Sequence, residues 1–150
     1  MGGEESFFVP QTEPLSVNVI VCEHVLTEKT ELLSAIRILD TLTIQHGYDY
    51  ARFSVVTIAV SNPGDIGPHV LKVVMTTSSG QQVASAPDCR FEYGYKIDPI
   101  GFGGFRLTTQ FAVDLRPLDT LGQFMIWVYL DGAPVAQAPI MLRRSYQLPR

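Results

Sequence analysis

The chain carries little charge of either sign. Lys and Arg together number 11 and Asp and Glu number 15 among 150 residues, which leaves a formal net charge of −4. Proteins that bind nucleic acid or anionic membranes usually present a basic patch, and this composition offers none. We therefore expect no nucleic-acid partner and no membrane partner.

Cysteines and long apolar runs are equally scarce. No stretch approaches the roughly 20 apolar residues that cross a bilayer as a helix. The two cysteines, Cys22 and Cys89, lack the close spacing of redox and metal sites. Residues 1–16 begin with acidic rather than basic side chains, so they do not resemble a secretory leader. We expect a cytoplasmic protein with reduced thiols, and a disulfide between the two cysteines is the alternative.

Apolar residues make up 46% of the chain, which is enough for one globular domain. The prolines and polar residues of segment 1–16 predict a flexible, extended N-terminal arm, in which Phe7 and Phe8 form an apolar patch. The domain then covers residues 17–144, and residues 145–150 form a C-terminal tail.

Alternation of apolar and polar residues predicts strands through most of the domain. The clearest case is segment 105–115, where every second residue from Phe105 to Leu115 is apolar or threonine. Asp131-Gly132 lies between two apolar runs and predicts a type I′ hairpin turn, because both central residues of that turn need positive φ. Residues 32–44 fit a helix or a strand, and we prefer a strand because β-branched residues dominate their second half.

About eight such segments, roughly ten residues apart and separated by turn signals, are typical of a β-sandwich. We predict an all-β fold, specifically an immunoglobulin-like antiparallel β-sandwich of about seven to nine strands. Nothing in the pattern alternates helix with strand, as a parallel sheet would require.

Several segments, taken in order, resemble a family of small uncharacterised bacterial β-sandwich proteins, a domain of unknown function. The segments are VIVCEHV, LSAIRILDTL, RFSVVTIAV, GPHVLKVVMTTSSGQQV and LGQFMIWVYLDGAPVAQAPIML, and together they span about residues 17–142. Their order, rather than any single segment, makes the resemblance. It implies an immunoglobulin-like fold, but it implies neither an activity nor a catalytic residue.

The three histidines form no recognisable site. Glu23 and His24 are adjacent on a predicted strand, so their side chains should point to opposite faces. His46 and His69 fall in predicted loops, and no two histidines have the spacing of a zinc site. We expect a surface pair at 23–24, solvated loop histidines, and no catalytic or metal-ligating residue.

Aspartates and glycines give no clearer signal. The aspartates occur singly, without the closely spaced acids of a calcium loop, and we interpret them as ordinary turn residues. The stretch GFGGF (101–105) precedes a strand and lacks the Lys-Ser/Thr of a phosphate loop. We expect no cofactor, and we interpret Phe102 as a residue that either packs inward or contacts a partner.

The segment QFMIWVYL (123–130) is apolar on both of its faces. The even-numbered residues from 124 to 130 should enter the core, which leaves Met125, Trp127 and Tyr129 on the other face. Monomers seldom expose such side chains next to one another, so something should cover them. The cover is either internal, from aromatic residues of segment 85–104 or of the arm, or another protein chain. Segment 52–60 has a similar apolar excess, and two adjacent strands of this kind would widen the patch.

Three functions are compatible with these patterns. The favoured one is a non-enzymatic protein-interaction or assembly module, self-association included, with Met125, Trp127, Tyr129 and Phe102 as contact residues. The second is a sandwich that binds a carbohydrate or another small ligand on aromatic residues of the 91–105 region. The third is a metal-dependent enzyme, which we disfavour because no catalytic constellation is recognisable.

Overall fold

The computed structural model describes residues 16–27, 33–60, 67–92, 104–118 and 121–145. Within these ranges the chain is all-β, as predicted, and forms ten strands. They are β1 (Ser16–Thr27), β2 (Leu33–Ile38), β3 (Thr41–Ile44), β4 (Tyr50–Val60), β5 (Pro68–Thr77), β6 (Gln82–Ser85), β7 (Cys89–Glu92), β8 (Gly104–Asp114), β9 (Gln123–Leu130) and β10 (Ala133–Arg144). Residues 1–15 of the predicted arm, Phe102, and residues 146–150 of the predicted tail lie outside the described residues.

The strands form two sheets with the apolar core between them. The four-stranded sheet has the order β2-β1-β4-β8, and the second sheet has the order β3-β10-β9-β5-β6, with β7 pairing with β5 as its sixth strand. The core contains inward-facing residues of both sheets, such as Val55 and Phe111 from the first and Val73 and Val128 from the second. The strand count exceeds the predicted seven to nine because residues 33–44 form two strands and residues 89–92 form a short extra one.

Residues 33–44 change sheets at their midpoint. The N–H of Leu39 donates to the carbonyl of Val21 in the four-stranded sheet, at 2.8 Å. One residue later, the carbonyl of Asp40 accepts the N–H of Met141 in the six-stranded sheet, also at 2.8 Å. The preferred strand assignment is confirmed, but as two strands that belong to different sheets.

This change of sheet also creates a departure from the predicted antiparallel arrangement. β3 runs parallel to the end of β10, whereas the other described pairings are antiparallel. A hairpin would force β3 to turn back along its neighbour. Because β3 instead arrives by crossing from the opposite sheet, it can lie beside β10 in the same direction.

Two local predictions are confirmed by the backbone and by burial. Phe111 and Val113 of β8 are buried, while Thr108 and Gln110 are exposed, as the alternation predicts. The turn between β9 and β10 has φ of 50° at Asp131 and 86° at Gly132, so both central residues have positive φ.

The two cysteines are not bonded to each other. Cys22 is buried in β1, and burial raises the pKa of its thiol, which keeps it in the unreactive protonated form. Cys89 begins β7, in the other sheet. Within the described ranges no helix has the length and apolar character needed to traverse a lipid bilayer. The cytoplasmic location stays a prediction.

Candidate functional site

Strand β9 has one face in the core and one face outside, as the sequence predicts. Its even-numbered residues, from Phe124 to Leu130, are all buried in the core between the sheets. Met125, Trp127 and Tyr129 lie on the outer face of the six-stranded sheet and are half-buried. The apolar residues on both faces therefore reflect two different environments on the two sides of one sheet.

Trp127 is partly covered by the neighbouring strand β5. Its register partner there is Val74, which is only 4% exposed although it lies on the outer face. The indole Nε1 donates a hydrogen bond to Oγ1 of Thr76 at 3.1 Å. The indole therefore lies towards β5 and has its one polar group satisfied, so it is not bare in water.

The other neighbour of β9 adds exposed apolar side chains to the same surface. Strand β10 places Pro139 opposite Met125 and Met141 opposite Gln123. Pro139 is exposed, and Met141 is 37% exposed. We call the surface formed by Met125, Trp127, Tyr129, Pro139 and Met141 the contact face.

One alternative was that aromatic residues of segment 85–104 cover Met125, Trp127 and Tyr129. This is wrong for Phe91, the aromatic residue of that segment that the structure describes. Phe91 is buried in the core, where its ring stacks on that of Phe105 with centroids 4.0 Å apart. These two rings also cannot form the predicted ligand platform, because they pack against each other. Phe7, Phe8 and Phe102 lie outside the described residues.

Strand β4 does not widen the contact face, contrary to expectation. It lies in the four-stranded sheet, so its outer side chains project from the opposite side of the sandwich. Exposed polar and charged residues of that opposite outer face include His24, Arg52, Arg106, Thr108 and Gln110. Two large apolar side chains, Leu26 and Ile38, are also exposed there, at the β1–β2 edge.

A trough lies beside the contact face, over strand β5. It encloses about 460 Å³, and its lining includes Val70 and Val74 on the floor, Tyr129 on one side, and Gln82 and Asp88 from the other side. Both the contact face and this trough, which we call the β5 trough, belong to the outer surface of the six-stranded sheet.

The prediction that His69 is a solvated loop residue is wrong. Strand β5 begins at Pro68, so His69 lies on the strand and is 4% exposed. Its Nδ1 donates to Oδ2 of Asp131 at 2.7 Å, because a carboxylate can only accept. The sequence did contain a signal, since His69 continues the inward series Leu71, Val73 and Met75 at a spacing of two.

Asp131 is a turn residue, as interpreted, but it also joins the hairpin to β5. Its Oδ1 accepts the backbone N–H of Val70 at 2.9 Å. Burial raises the pKa of Asp131, but the hydrogen bonds from His69 and Val70 outweigh this effect, so the pKa lies below its usual value.

The remaining predicted polar pair is at the surface. Nε2 of His24 and Oε1 of Glu23 are 3.7 Å apart, and the His24 side chain is mostly exposed. In the described part of the chain, no group of three or more His, Cys, Asp or Glu side chains is arranged to hold a metal ion.

Comparison with known proteins does not assign the chain to a group. No protein-family model and no curated protein matches it. One similar solved structure is the Pseudomonas fluorescens alkylpurine DNA glycosylase AlkC bound to DNA containing an abasic site analog, with 13% identity and a TM-score of 0.45 over 85% of this chain and 30% of that one. Another is a β-glucosidase from Listeria innocua, with 13% identity and a TM-score of 0.42 over 94% of this chain and 18% of that one. The chain spans less than a third of either protein, and at this similarity neither activity is transferred to it.

Proposed function

We propose that the protein is a non-enzymatic assembly module that binds another protein chain through the contact face, with a second copy of itself as the first partner. The supporting observation is the set of side chains that two neighbouring strands present on the outer face of the six-stranded sheet. Strands β9 and β10 bring thioether, aromatic and proline side chains together there, beside the exposed Gln137. On the opposite outer face, the exposed side chains of β4 and β8 include charged and polar ones, and the exposed apolar Leu26 and Ile38 lie at the β1–β2 edge. Met and aromatic residues are enriched in the cores of protein–protein interfaces, where Lys, Glu and Asp are depleted.

The state of Trp127 favours burial beneath a partner. Its Nε1 is already bonded to Thr76, so covering the indole would leave no unsatisfied donor. The same bond restricts the ring before any partner arrives, which lowers the conformational entropy lost on binding.

The backbone favours contact between faces over addition of a strand. β9 is hydrogen-bonded on both sides, to β5 and to β10. Along residues 133–140, the described pairing of β10 is with β9 alone, and this stretch contains Pro134 and Pro139. Prolines have no N–H to offer and protect an edge from pairing with another strand. Two copies would therefore pack contact face on contact face, which a two-fold axis permits because the surface meets its own copy.

Sedimentation velocity over a range of concentrations tests this proposal. The wild-type protein should sediment faster as its concentration rises. Met141→Glu places a charge in the contact face at an exposed position, so it should shift the protein towards a monomer without unfolding it. Thr108→Glu introduces the same charge at an exposed position on the opposite outer face and should behave like the wild type.

Either of two results would contradict the proposal. One is a wild-type protein that stays monomeric at high micromolar concentration. The other is an oligomer that the two glutamate variants weaken equally, which would place the interface away from the contact face.

A further inference from the structure

The β5 trough has the dimensions of a ligand site. Its volume of about 460 Å³ falls within the range of roughly 300–1,000 Å³ that is common for small-molecule sites. The outward-facing residues of β5 form its floor, and Tyr129 of β9 forms one wall. Gln82 of β6 and Asp88, which precedes β7, approach from the other side. The trough therefore follows the direction of β5.

The floor and the rim of the trough differ in polarity. Val70 and Val74 supply apolar floor, and the Thr76 hydroxyl is already occupied by the indole of Trp127. Lys72, Gln82 and Asp88 are all exposed and line the same trough. None of these three side chains has a hydrogen-bond or ion-pair partner among the described residues. A matching ligand has an apolar face and a polar, hydrogen-bonding edge.

The charges of the rim favour a neutral ligand. Lys72 lies directly opposite Tyr129 in the register of β5 and β9. Asp88 is next to Cys89, whose register partner is Leu71, so Asp88 lies close to Lys72 across the sheet. The electric fields of one cation and one neighbouring anion largely cancel, so the rim does not attract a charged ligand of either sign. Phosphate and nucleic-acid sites, in contrast, gather several cationic donors.

The backbone of the floor excludes an added strand as the occupant. From Leu71 to Thr77, β5 is paired with β9 on one side, and β6 and β7 take up the other. An extended peptide would find no main-chain partner there, and its own N–H and C=O groups would lose water without compensation. A sugar ring has no such requirement, because its hydroxyls bond to side chains and its C–H face packs on apolar and aromatic surface.

We infer that the β5 trough binds a neutral oligosaccharide. Its C–H surfaces lie against Tyr129 and the valine floor, and its hydroxyls bond to Lys72, Gln82 and Asp88. This site goes beyond the proposed assembly function. Its polar residues lie outside the contact face, but the two surfaces share Tyr129. It also differs from the ligand platform predicted for residues 91–105.

A glycan array probed with the full chain, followed by calorimetric titration, tests the inference. The titration probes are maltotriose, cellotriose, xylotriose and chitotriose, with a sulfated heparin oligosaccharide as the charged comparison. At least one neutral probe should bind. Gln82→Ala and Asp88→Ala should each weaken that binding about two- to tenfold, as expected for the loss of one hydrogen bond. Gln110→Ala, an exposed glutamine on the opposite outer face, should bind like the wild type.

Three results would overturn the inference. They are the absence of binding by every neutral probe at millimolar concentration, stronger binding of the heparin oligosaccharide, and wild-type affinity in both Gln82→Ala and Asp88→Ala. Thermal melting of each variant establishes that it is folded. Met141→Glu keeps Tyr129 and the polar residues of the trough, so it should bind the sugar at least as tightly as the wild type whether or not it self-associates. Failure of the assembly proposal and failure of this inference are therefore distinguishable.

Discussion

His69 and Asp131, 62 positions apart, are joined by a 2.7 Å hydrogen bond between Nδ1 and Oδ2. The same aspartate accepts the N–H of Val70 and donates its own N–H to the carbonyl of Val70, each at 2.9 Å. These contacts fasten the β9–β10 turn to the beginning of β5. The histidine is buried and the aspartate is half-exposed, so the bond connects the core to the surface turn beside the β5 trough.

Asp131→Asn should weaken the pH dependence of the free energy of unfolding in the acidic range. The pKa of Asp131 is lower in the folded protein than in the unfolded chain, where it is about 3.9. The ionised carboxylate therefore stabilises the fold at pH values above about 3.9, and this contribution is lost as the pH falls through the pKa of the folded state. Asn also tolerates the positive φ of this position. At neutral pH we expect a loss of about 0.5–1 kcal/mol, because solvent screens a half-exposed pair.

Urea unfolding at several pH values measures this effect. The difference between wild type and Asp131→Asn should shrink below about pH 4. Asp88→Asn, an exposed aspartate without a described partner, is the control and should leave the free energy of unfolding unchanged. A difference that stays constant from neutral to acidic pH would show that the charge of Asp131 contributes nothing.

Thr57→Val should stabilise the protein. Thr57 is fully buried on β4, where its register partners are Val19 and Leu107, and its Oγ1 has no hydrogen-bond partner among the described residues. Replacing an unsatisfied buried hydroxyl by a methyl group of the same shape should raise the free energy of unfolding by about 1 kcal/mol. Chemical denaturation measures the gain. The control is Thr108→Val, at an exposed site on β8, which should change the free energy of unfolding by less than about 0.5 kcal/mol. If Thr57→Val instead destabilised the protein, the hydroxyl of Thr57 would have a hydrogen-bond partner in solution.

Gly132→Ala and Gly122→Ala form a matched pair that isolates backbone conformation. A methyl group added at either glycine would meet no atom within 4 Å, but only Gly132 has a positive φ, at 86°. Gly132→Ala should cost about 1–2 kcal/mol because left-handed backbone is unfavourable for alanine. Gly122→Ala should be neutral or slightly stabilising. Equal thermal melting curves for the two variants would show that the turn relaxes to another conformation.

Trp127→Phe and Thr76→Val should show thermodynamic coupling. Each variant removes one partner of the 3.1 Å hydrogen bond on the contact face. A double-mutant cycle followed by circular dichroism should give a coupling energy of about 0.5–1.5 kcal/mol. Additive effects would mean that the bond is absent in solution and that the indole is not held against β5.

Local features of the fold could be predicted because they depend on neighbouring residues. The alternation in segment 105–115 assigned the faces of β8 correctly, and Asp131-Gly132 identified the turn of the last hairpin. The two faces of β9 followed from the period of two as well. Each of these properties is determined by the geometry of one strand or one turn.

Features that depend on distant pairing could not be predicted in the same way. Nothing local distinguishes Leu39 from Asp40 as the point where the chain leaves one sheet for the other. The burial of His69 depends on Asp131 and on the position of β5, and it was hidden because the residue follows a Gly-Pro pair that is typical of a loop. The β5 trough likewise combines residues of β5, β6 and β9 with Asp88, a set that exists only after the strands have paired.

Trp127 is the single tryptophan of the chain, so its fluorescence reports directly on the contact face. Acrylamide quenching should be measured as the wild-type concentration rises from low to high micromolar. Met141→Glu is the control, because its Trp127 should stay accessible to acrylamide at every concentration. If the contact face binds a second copy, the quenching constant of the wild type should fall with concentration while that of Met141→Glu stays level. A wild-type quenching constant that is unchanged over the whole range would contradict assembly through this face.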